Sequence, residues 1–193
     1  SRFARGRTGS FLRSGVELLA GIPSVVYGFF GLVIIVPFVR LLGPGTGLSV
    51  LAASLILGIM ILPTVITVAQ SALDAVPARY YEGALALGVD HEHAVFKVVA
   101  PAAASGIMAA IVLGLGRAIG ETMAVVMVAG NMPIIPDSLL SGVRTMTANI
   151  VLEMGYAADL HREALIATGV VLFVFILLIT MLLNVIRKRG EAR

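Results

Sequence analysis

Four long runs of apolar residues, separated by short polar stretches, restrict what this chain can fold into. The runs cover residues 18–39, 48–69, 102–130 and 164–186. Each is long enough to cross a lipid bilayer, which requires about 20 mostly apolar residues. The runs lack the alternation of a half-buried strand, so they predict membrane-spanning helices. We therefore expect an all-α, polytopic membrane protein with four transmembrane helices.

The amino-acid composition agrees with this expectation. Hydrophobic residues make up 59% of the 193 residues and charged residues 13%, whereas a typical soluble domain carries about 25% charged residues. The mean hydropathy is +1.02. The sequence contains no cysteine, which excludes disulfides, thiolate metal sites and cysteine nucleophiles from this chain.

The positions of the basic residues predict the orientation of the spans. Cytoplasmic loops carry an excess of Lys and Arg, so the richer side is assigned to the cytoplasm. Ten basic residues then lie inside, namely Arg2, Arg5, Arg7, Arg13, Arg79, Lys97, Arg187, Lys188, Arg189 and Arg193. Three lie in outer loops, namely Arg40, Arg144 and Arg162. We expect both ends of this chain in the cytoplasm and residues 131–163, the outer segment, on the opposite side of a bacterial or archaeal inner membrane.

The cytoplasmic loop 77–101 is predicted to form two short helices joined at a glycine. Pro77 suits the first turn of a helix, because its missing N–H would be unpaired there. Gly88 suits the left-handed position that follows a helix C-terminus. Asp90 is placed to cap the second helix, and Pro101 marks the boundary with the third span. Such a projecting element on the inner face is suited to docking in a groove of a soluble partner.

This loop resembles the "EAA" loop of ABC-importer permeases of the type I, MetI-like class. That pattern is Glu-Ala-Ala, three residues, Gly, nine residues, Ile, one residue and Leu-Pro, and Glu82, Gly88 and Pro101 match it in type and spacing. Three positions depart from it: Gly83, Val98 and Ala100. The glycine departure weakens the first helix by about 1 kcal/mol of helix propensity.

Two further strings resemble phosphate-importer permeases. Residues 20–28 (AGIPSVVYG) resemble the start of their third span, and residues 114–125 (GLGRAIGETMAV) resemble their membrane-embedded Gly-Arg-Ala-x-Gly-Glu-Thr motif. The Met-Ala-Val continuation favours the PstC-type subunit over its PstA-type partner. The resemblance covers residues 15–189, and the family pattern has six spans. It therefore implies that this chain is a fragment that lacks the first two spans.

Arg117 and Glu121 are the candidate residues of a translocation path, with Thr122 as a hydroxyl donor. Arg117 and Glu121 lie four residues apart in the predicted third span, so their side chains would share one helix face and form an ion pair. Arg117 would lie about 20 Å into the span, where a charge usually faces the protein interior or a water-filled path. The structural alternative is a buried ion pair that fixes helix packing without touching substrate. Gly116 and Gly120 beside it predict a close helix contact.

The resemblance implies the permease subunit of an ATP-driven importer of inorganic phosphate, with the 77–101 loop as its coupling element. The coupling residues are Glu82, Gly83, Ala84, Leu85, Gly88 and Pro101. For Glu82, contact with an ATPase subunit is the functional interpretation, and a solvated carboxylate is the structural alternative. Lys97 and Lys188 do not follow a glycine, so the chain contains no phosphate-binding P-loop. The chain itself is then not an enzyme and holds no cofactor.

The resemblance also implies the partners. They are a PstA-type permease subunit, a separate ATPase dimer that binds ATP and Mg, and an extracytoplasmic phosphate-binding protein that docks on the outer segment. The alternative within the same class is an importer of sulfate, molybdate or phosphonate. An intramembrane protease is disfavoured, because all three histidines lie outside the predicted spans. They are His91, His93 and His161. No cluster of metal-ligating residues predicts a metal site.

Overall fold

The computed structural model describes residues 7–191. The helices run over Arg7–Ala20 (α1), Ser24–Arg40 (α2), Val50–Asp74 (α3), Ala78–Ala86 (α4), His91–Ala102 (α5), Ala104–Ile119 (α6), Met123–Val128 (α7), Met146–Glu153 (α8) and Asp159–Glu191 (α9). Two of them contain π-helical turns, at Gly31–Ile35 and Ala94–Val99. The described residues contain no strand, and one isolated bridge joins Gly130 to Val143. The predicted all-α class is confirmed.

Helices α3 and α9 are long and apolar enough to cross a membrane. The pairs α1–α2 and α5–α6 add two further candidates if each pair, interrupted by a short break, forms one span. The described chain thus carries two to four candidate spans, as expected of a polytopic membrane protein. The expected run 102–130 is not one helix, since α6 ends at Ile119 and α7 begins at Met123.

The described chain forms two compact units. One contains residues 7–20, 62–115 and 180–191, and the other contains residues 21–61 and 116–179. The first unit has a small apolar core, which consists of Val76, Val99 and Ala103 with Leu73, Tyr81 and Ile107 packed against it. This core joins the end of α3 to the loop 77–101 and the start of α6.

The core of the second unit lies where α2, α3 and α7 meet. Its buried residues are Tyr27, Val36, Val39, Ala52, Ala53, Ile56, Met60, Ala124, Val125, Val128 and Ala129. Gly28 sets the approach of α2 to α7, because a Cβ atom there would lie 2.9 Å from the Cα atom of Ala124. Any larger residue at this position would push the two backbones apart.

The start of α3 is held by the outer segment. The first N–H groups of a helix have no partner inside the helix. Here the Val50 N–H donates to the Ser141 carbonyl (3.0 Å) and the Leu51 N–H to the Leu139 carbonyl (2.8 Å). The fully buried Ser49 caps the same turn through its side-chain oxygen. These bonds fix the outer segment to the part of α3 that belongs to the same unit.

Candidate functional site

The first helix of the loop 77–101 ends as its sequence predicts. Helix α4 ends at Ala86, and Gly88 has φ +84°, in the left-handed region that favours glycine. The Val89 N–H donates to the Ala84 carbonyl (3.2 Å), and the Gly88 N–H donates to the Leu85 carbonyl (2.9 Å). This bond pair is the Schellman motif, which satisfies the last carbonyls of the helix. The glycine therefore produces the sharp turn between α4 and α5.

The second helix of the loop, α5, lacks the side-chain cap that the sequence predicts at Asp90. Asp90 occupies the N-cap position, but its side chain makes no capping bond. Its Oδ1 atom instead lies 2.6 Å from Nδ1 of His93. Tyr81 connects the two helices, because its hydroxyl lies 2.7 Å from Nδ1 of His91 and the rings meet edge to face. Sequence reasoning missed this contact, which no spacing rule along a single helix could reveal.

Pro101 does not mark the boundary with the next helix. It lies in the first turn of the helical segment Ala100–Ala102, inside α5, and the chain breaks at Ala103. The expected boundary is therefore shifted by two residues. Proline is tolerated there because the π-helical turn before it has already altered the hydrogen-bond pattern. Helices α5 and α6 meet at this break with a bend of 67°.

The predicted coupling residues differ in exposure. Ala84 is buried, whereas Glu82, Gly83 and Leu85 are exposed. Leu87, beside them, is 86% exposed. Glu82 takes part in none of the ion pairs within the described residues. The loop thus presents a carboxylate and apolar side chains to its surroundings, as a docking surface requires.

The predicted pairing of Arg117 with Glu121 is not present. Helix α6 ends at Ile119 and Gly120 follows it, so the two residues do not share a helix face. No ion pair of 4 Å or less joins them in the described part of the chain. Gly120 lies at the break, and a glycine there costs about 1 kcal/mol of helix propensity. The prediction assumed a continuous helix.

Glu121 caps the next helix instead. Its Oε1 atom accepts the backbone N–H of Ala124 (3.2 Å) at the start of α7. A carboxylate at a helix N-terminus is favourable, because the helix dipole is positive there. Thr122 lies beside it, and its hydroxyl donates to the Gly120 carbonyl (3.4 Å). Arg117 remains exposed in this chain.

The close helix contact predicted at Gly116 and Gly120 is not made within the described chain. A Cβ atom on Gly116 would meet nothing within 4 Å, and one on Gly120 would meet only carbonyls of its own turn at 4.0 Å. The tight contacts of this chain lie elsewhere. A Cβ atom on Gly106 would lie 2.4 Å from the Cβ atom of Ala72, for example.

The outer segment contains a polar network that sequence reasoning missed. Arg144 precedes α8, and its Nη1 atom donates to Oε1 of Glu153 (2.7 Å) at the end of that helix. Its Nε atom donates to the carbonyl of Asn131 (3.0 Å), whose side chain donates to the Val126 carbonyl (2.7 Å). The Arg144 and Glu153 side chains are 23% and 18% exposed. Their opposite charges were the only signal, and nine residues is a spacing that helix periodicity does not pair.

The same network shifts two pKa values. The Tyr156 hydroxyl donates to Oε2 of Glu153. This hydrogen bond, with a smaller contribution from Arg144, lowers the pKa of the Glu153 carboxyl. The bond also raises the pKa of the Tyr156 phenol, because the phenol must stay protonated to donate. His161 faces the same carboxylate at 3.7 Å.

Comparison with known proteins identifies the class. Residues 2–191 match the family described as "Binding-protein-dependent transport system inner membrane component". The chain belongs to this family of inner-membrane transport components.

Its relatives include permeases of the PstC type, which confirms the resemblance that the motifs indicate. The chain is 40% identical to the "Probable ABC transporter permease protein YqgH" of Bacillus subtilis, with 93% of this chain and 59% of that protein covered. It is 37% identical to the "Phosphate transport system permease protein PstC" of Mesorhizobium japonicum, with 92% and 61% covered. It is 36% identical to "Phosphate transport system permease protein PstC 1" of Mycobacterium tuberculosis, with 92% and 59% covered.

The chain thus spans about three fifths of the length of the curated relatives it matches. No solved structure matches it significantly.

Proposed function

We propose that this chain forms part of the transmembrane permease of an ATP-driven ABC importer that moves inorganic phosphate into the cytoplasm. Family membership supports a permease. The observation that carries the substrate is the Gly-Arg-Ala-x-Gly-Glu-Thr string at residues 116–122, together with relatives whose names specify phosphate transport.

Arg117, Glu121 and Thr122 line the translocation path in this proposal. An arginine in a membrane segment costs about 2.5–3.5 kcal/mol on insertion scales unless it faces the protein interior or water. The guanidinium presents planar paired donors that match phosphate oxygens. Because Glu121 caps α7 rather than pairing with Arg117, the guanidinium can offer its donors to an anion. The Thr122 hydroxyl would supply a further donor beside it.

The cytoplasmic loop couples this path to ATP hydrolysis on a separate ATPase dimer, where ATP and Mg bind. The proposed coupling residues are Glu82, Gly83, Ala84, Leu85, Gly88 and Pro101. The exposure of Glu82 and Leu85 supports docking, and buried Ala84 anchors α4 to its own unit. A helix ended by a left-handed glycine is a compact element that can transmit a push from a soluble partner.

The remaining partners complete the proposal. A PstA-type subunit would form the other half of the permease, and a phosphate-binding protein would dock on the outer segment. Both ends of this chain would lie in the cytoplasm, as the distribution of basic residues predicts. Gly116 and Gly120 would then pack against a helix outside the described chain. Binding and hydrolysis of ATP would shift the assembly between outward-open and inward-open states.

Competition uptake tests the substrate. The full-length protein and its partner subunits would be expressed in cells that lack their own phosphate importer, and labelled phosphate uptake measured. We expect saturable uptake that excess sulfate, molybdate or phosphonate does not reduce. An assembled complex that hydrolyses ATP but takes up no phosphate would contradict the phosphate assignment, and uptake of a competitor would identify the alternative oxyanion.

A further inference from the structure

Glu121 is contacted by a hydroxyl group from a distant part of the sequence. The Oγ1 atom of Thr147, in α8, donates to the backbone carbonyl of Glu121 at 3.3 Å, across 26 residues. The other groups of Glu121 bond locally. Its N–H donates to the Ala118 carbonyl (3.2 Å), and its carboxylate accepts the Ala124 N–H (3.2 Å). Thr147 therefore supplies the bond that ties this break to the outer segment.

Thr147 is itself held firmly. Its Oγ1 atom lies 3.1 Å from Oγ1 of Thr145, which caps α8 by accepting the Ala148 N–H (3.2 Å). The ion pair between Arg144 and Glu153 joins a residue two positions before α8 to the last residue of that helix. Both ends of α8 are thus connected by side-chain contacts, which favour a rigid helix that holds Thr147 in place.

We propose that Thr147 is a positioning residue for Glu121, through which α8 controls the conformation of the break between α6 and α7. Residues 120–122 lie between α6 and α7, outside both helices. Two local bonds, from the Glu121 N–H to the Ala118 carbonyl and from the Val126 N–H to the Thr122 carbonyl, hold this backbone together with the Thr147 hydroxyl. The Thr147 hydroxyl selects one conformation, in which the Glu121 carboxylate caps α7. This inference rests on the proposed function, in which Glu121 lines the translocation path. Under this proposal, α8 transmits a conformational change in the outer segment to the charged residues of the path, Arg117 and Glu121.

The size of the effect follows from the strength of one hydrogen bond. A neutral hydrogen bond contributes about 0.5–1.5 kcal/mol net, which corresponds to about a two- to tenfold change in the population of the held conformation. A fall in transport by this factor is expected in the maximal rate. The apparent KM should stay the same, because Thr147 acts on Glu121 and not on capture of phosphate from outside.

Three variants of the full-length protein in the assembled importer test this role. Thr147→Val removes the hydroxyl at nearly constant volume and should lower the maximal rate of labelled phosphate uptake about two- to tenfold. Thr147→Ser keeps the hydroxyl and should keep the maximal rate of the parent. The matched control is Thr168→Val, because within the described residues the Thr168 hydroxyl donates to a carbonyl of its own helix, that of Ala164 (2.9 Å). Equal rates in Thr147→Val and Thr147→Ser would overturn the proposal.

Amide hydrogen exchange of the purified complex gives a readout that does not depend on transport. The peptide covering residues 121–126 should exchange about two- to tenfold faster in Thr147→Val, and at the parental rate in Thr147→Ser and Thr168→Val. Unchanged exchange in Thr147→Val would overturn the positioning role even where uptake falls. If exchange accelerates as expected while the parent transports no phosphate, the positioning role is supported and the proposed function is the part that fails.

Discussion

Arg144 and Glu153 form a 2.7 Å ion pair that joins the two ends of α8, with both side chains less than a quarter exposed. Helix α8 has eight residues, which is too short to be stable by itself in water. The ion pair therefore stabilises a helix that is too short to be stable through its own hydrogen bonds. Arg144 also donates a hydrogen bond to the Asn131 carbonyl. This arrangement makes α8 a fixed element of its unit and leads to the first prediction.

Removal of either partner should destabilise the protein. We expect Arg144→Ala to lower the thermal unfolding midpoint of the detergent-solubilised protein by about 2–4 °C, the shift that accompanies a change of about 1 kcal/mol in a domain of this size. The matched control is Arg13→Ala. Arg13 pairs with Glu17 at 3.4 Å, but both side chains are about two-thirds exposed, and exposed pairs contribute little. Equal shifts of the unfolding midpoint in Arg144→Ala and Arg13→Ala would contradict a stabilising role of Arg144 at α8.

The pKa of Glu153 predicts an acid-sensitive step. Its pKa is lowered in the folded protein, chiefly by the Tyr156 hydroxyl. The carboxylate therefore stabilises the fold above its unfolded pKa of about 4.3, and this contribution is lost as the pH falls through the lowered folded value. Between pH 7 and pH 3, Glu153→Gln should lose less stability than the parent, as measured by thermal unfolding.

Tyr156→Phe is the informative companion to that measurement. It removes the bond that lowers the Glu153 pKa, so the acid transition should move to higher pH than in the parent. An unchanged transition in this variant would show that Tyr156 does not act on Glu153.

At alkaline pH the dependence of stability on pH has the opposite sign, because the pKa of Tyr156 is raised. Its contribution is present below the unfolded pKa of about 10 and is lost as the pH rises through the folded value.

Two glycines in the loop 77–101 should respond in opposite directions to the same substitution. Gly83 lies inside α4, and a Cβ atom there would meet nothing within 4 Å. Gly83→Ala should therefore stabilise the protein by up to about 1 kcal/mol, the helix-propensity difference. Gly88 has φ +84°, so Gly88→Ala should destabilise it by about 1–2 kcal/mol. Thermal unfolding of both variants tests this, and a stabilising Gly88→Ala would contradict the left-handed turn.

Local signals predicted the helix–glycine–helix structure of loop 77–101 well, whereas non-local contacts were not predictable. A helix after Pro77 and a left-handed turn at Gly88 follow from single residues and their neighbours, and both are present. The break at Gly120 was missed because the apolar run continues through it, and hydropathy does not register lost helical hydrogen bonds. The bond from Thr147 to Glu121 spans 26 residues. No periodicity relates such positions, and only the fold brings them together.

Arg117 provides the most direct test of the proposed path. No ion pair holds its side chain within the described residues, so a role limited to an intrahelical pair with Glu121 is already disfavoured. Arg117→Ala should reduce phosphate uptake on the order of 100-fold, as loss of one preorganised donor does at reacting centres, while the subunits still co-purify. Arg117→Lys should recover part of the activity, because it restores the charge without the paired donors.

The control for Arg117 is Arg162→Ala, which removes an exposed arginine of α9 near its start, in the outer segment. It should leave uptake within about twofold of the parent, because exposed surface charges contribute little. Normal uptake in Arg117→Ala would exclude this residue from the path. An equal loss of uptake in Arg117→Ala and Arg162→Ala would instead indicate that positive charge promotes capture of the anion in general. The position of Arg117 within the membrane would then not matter.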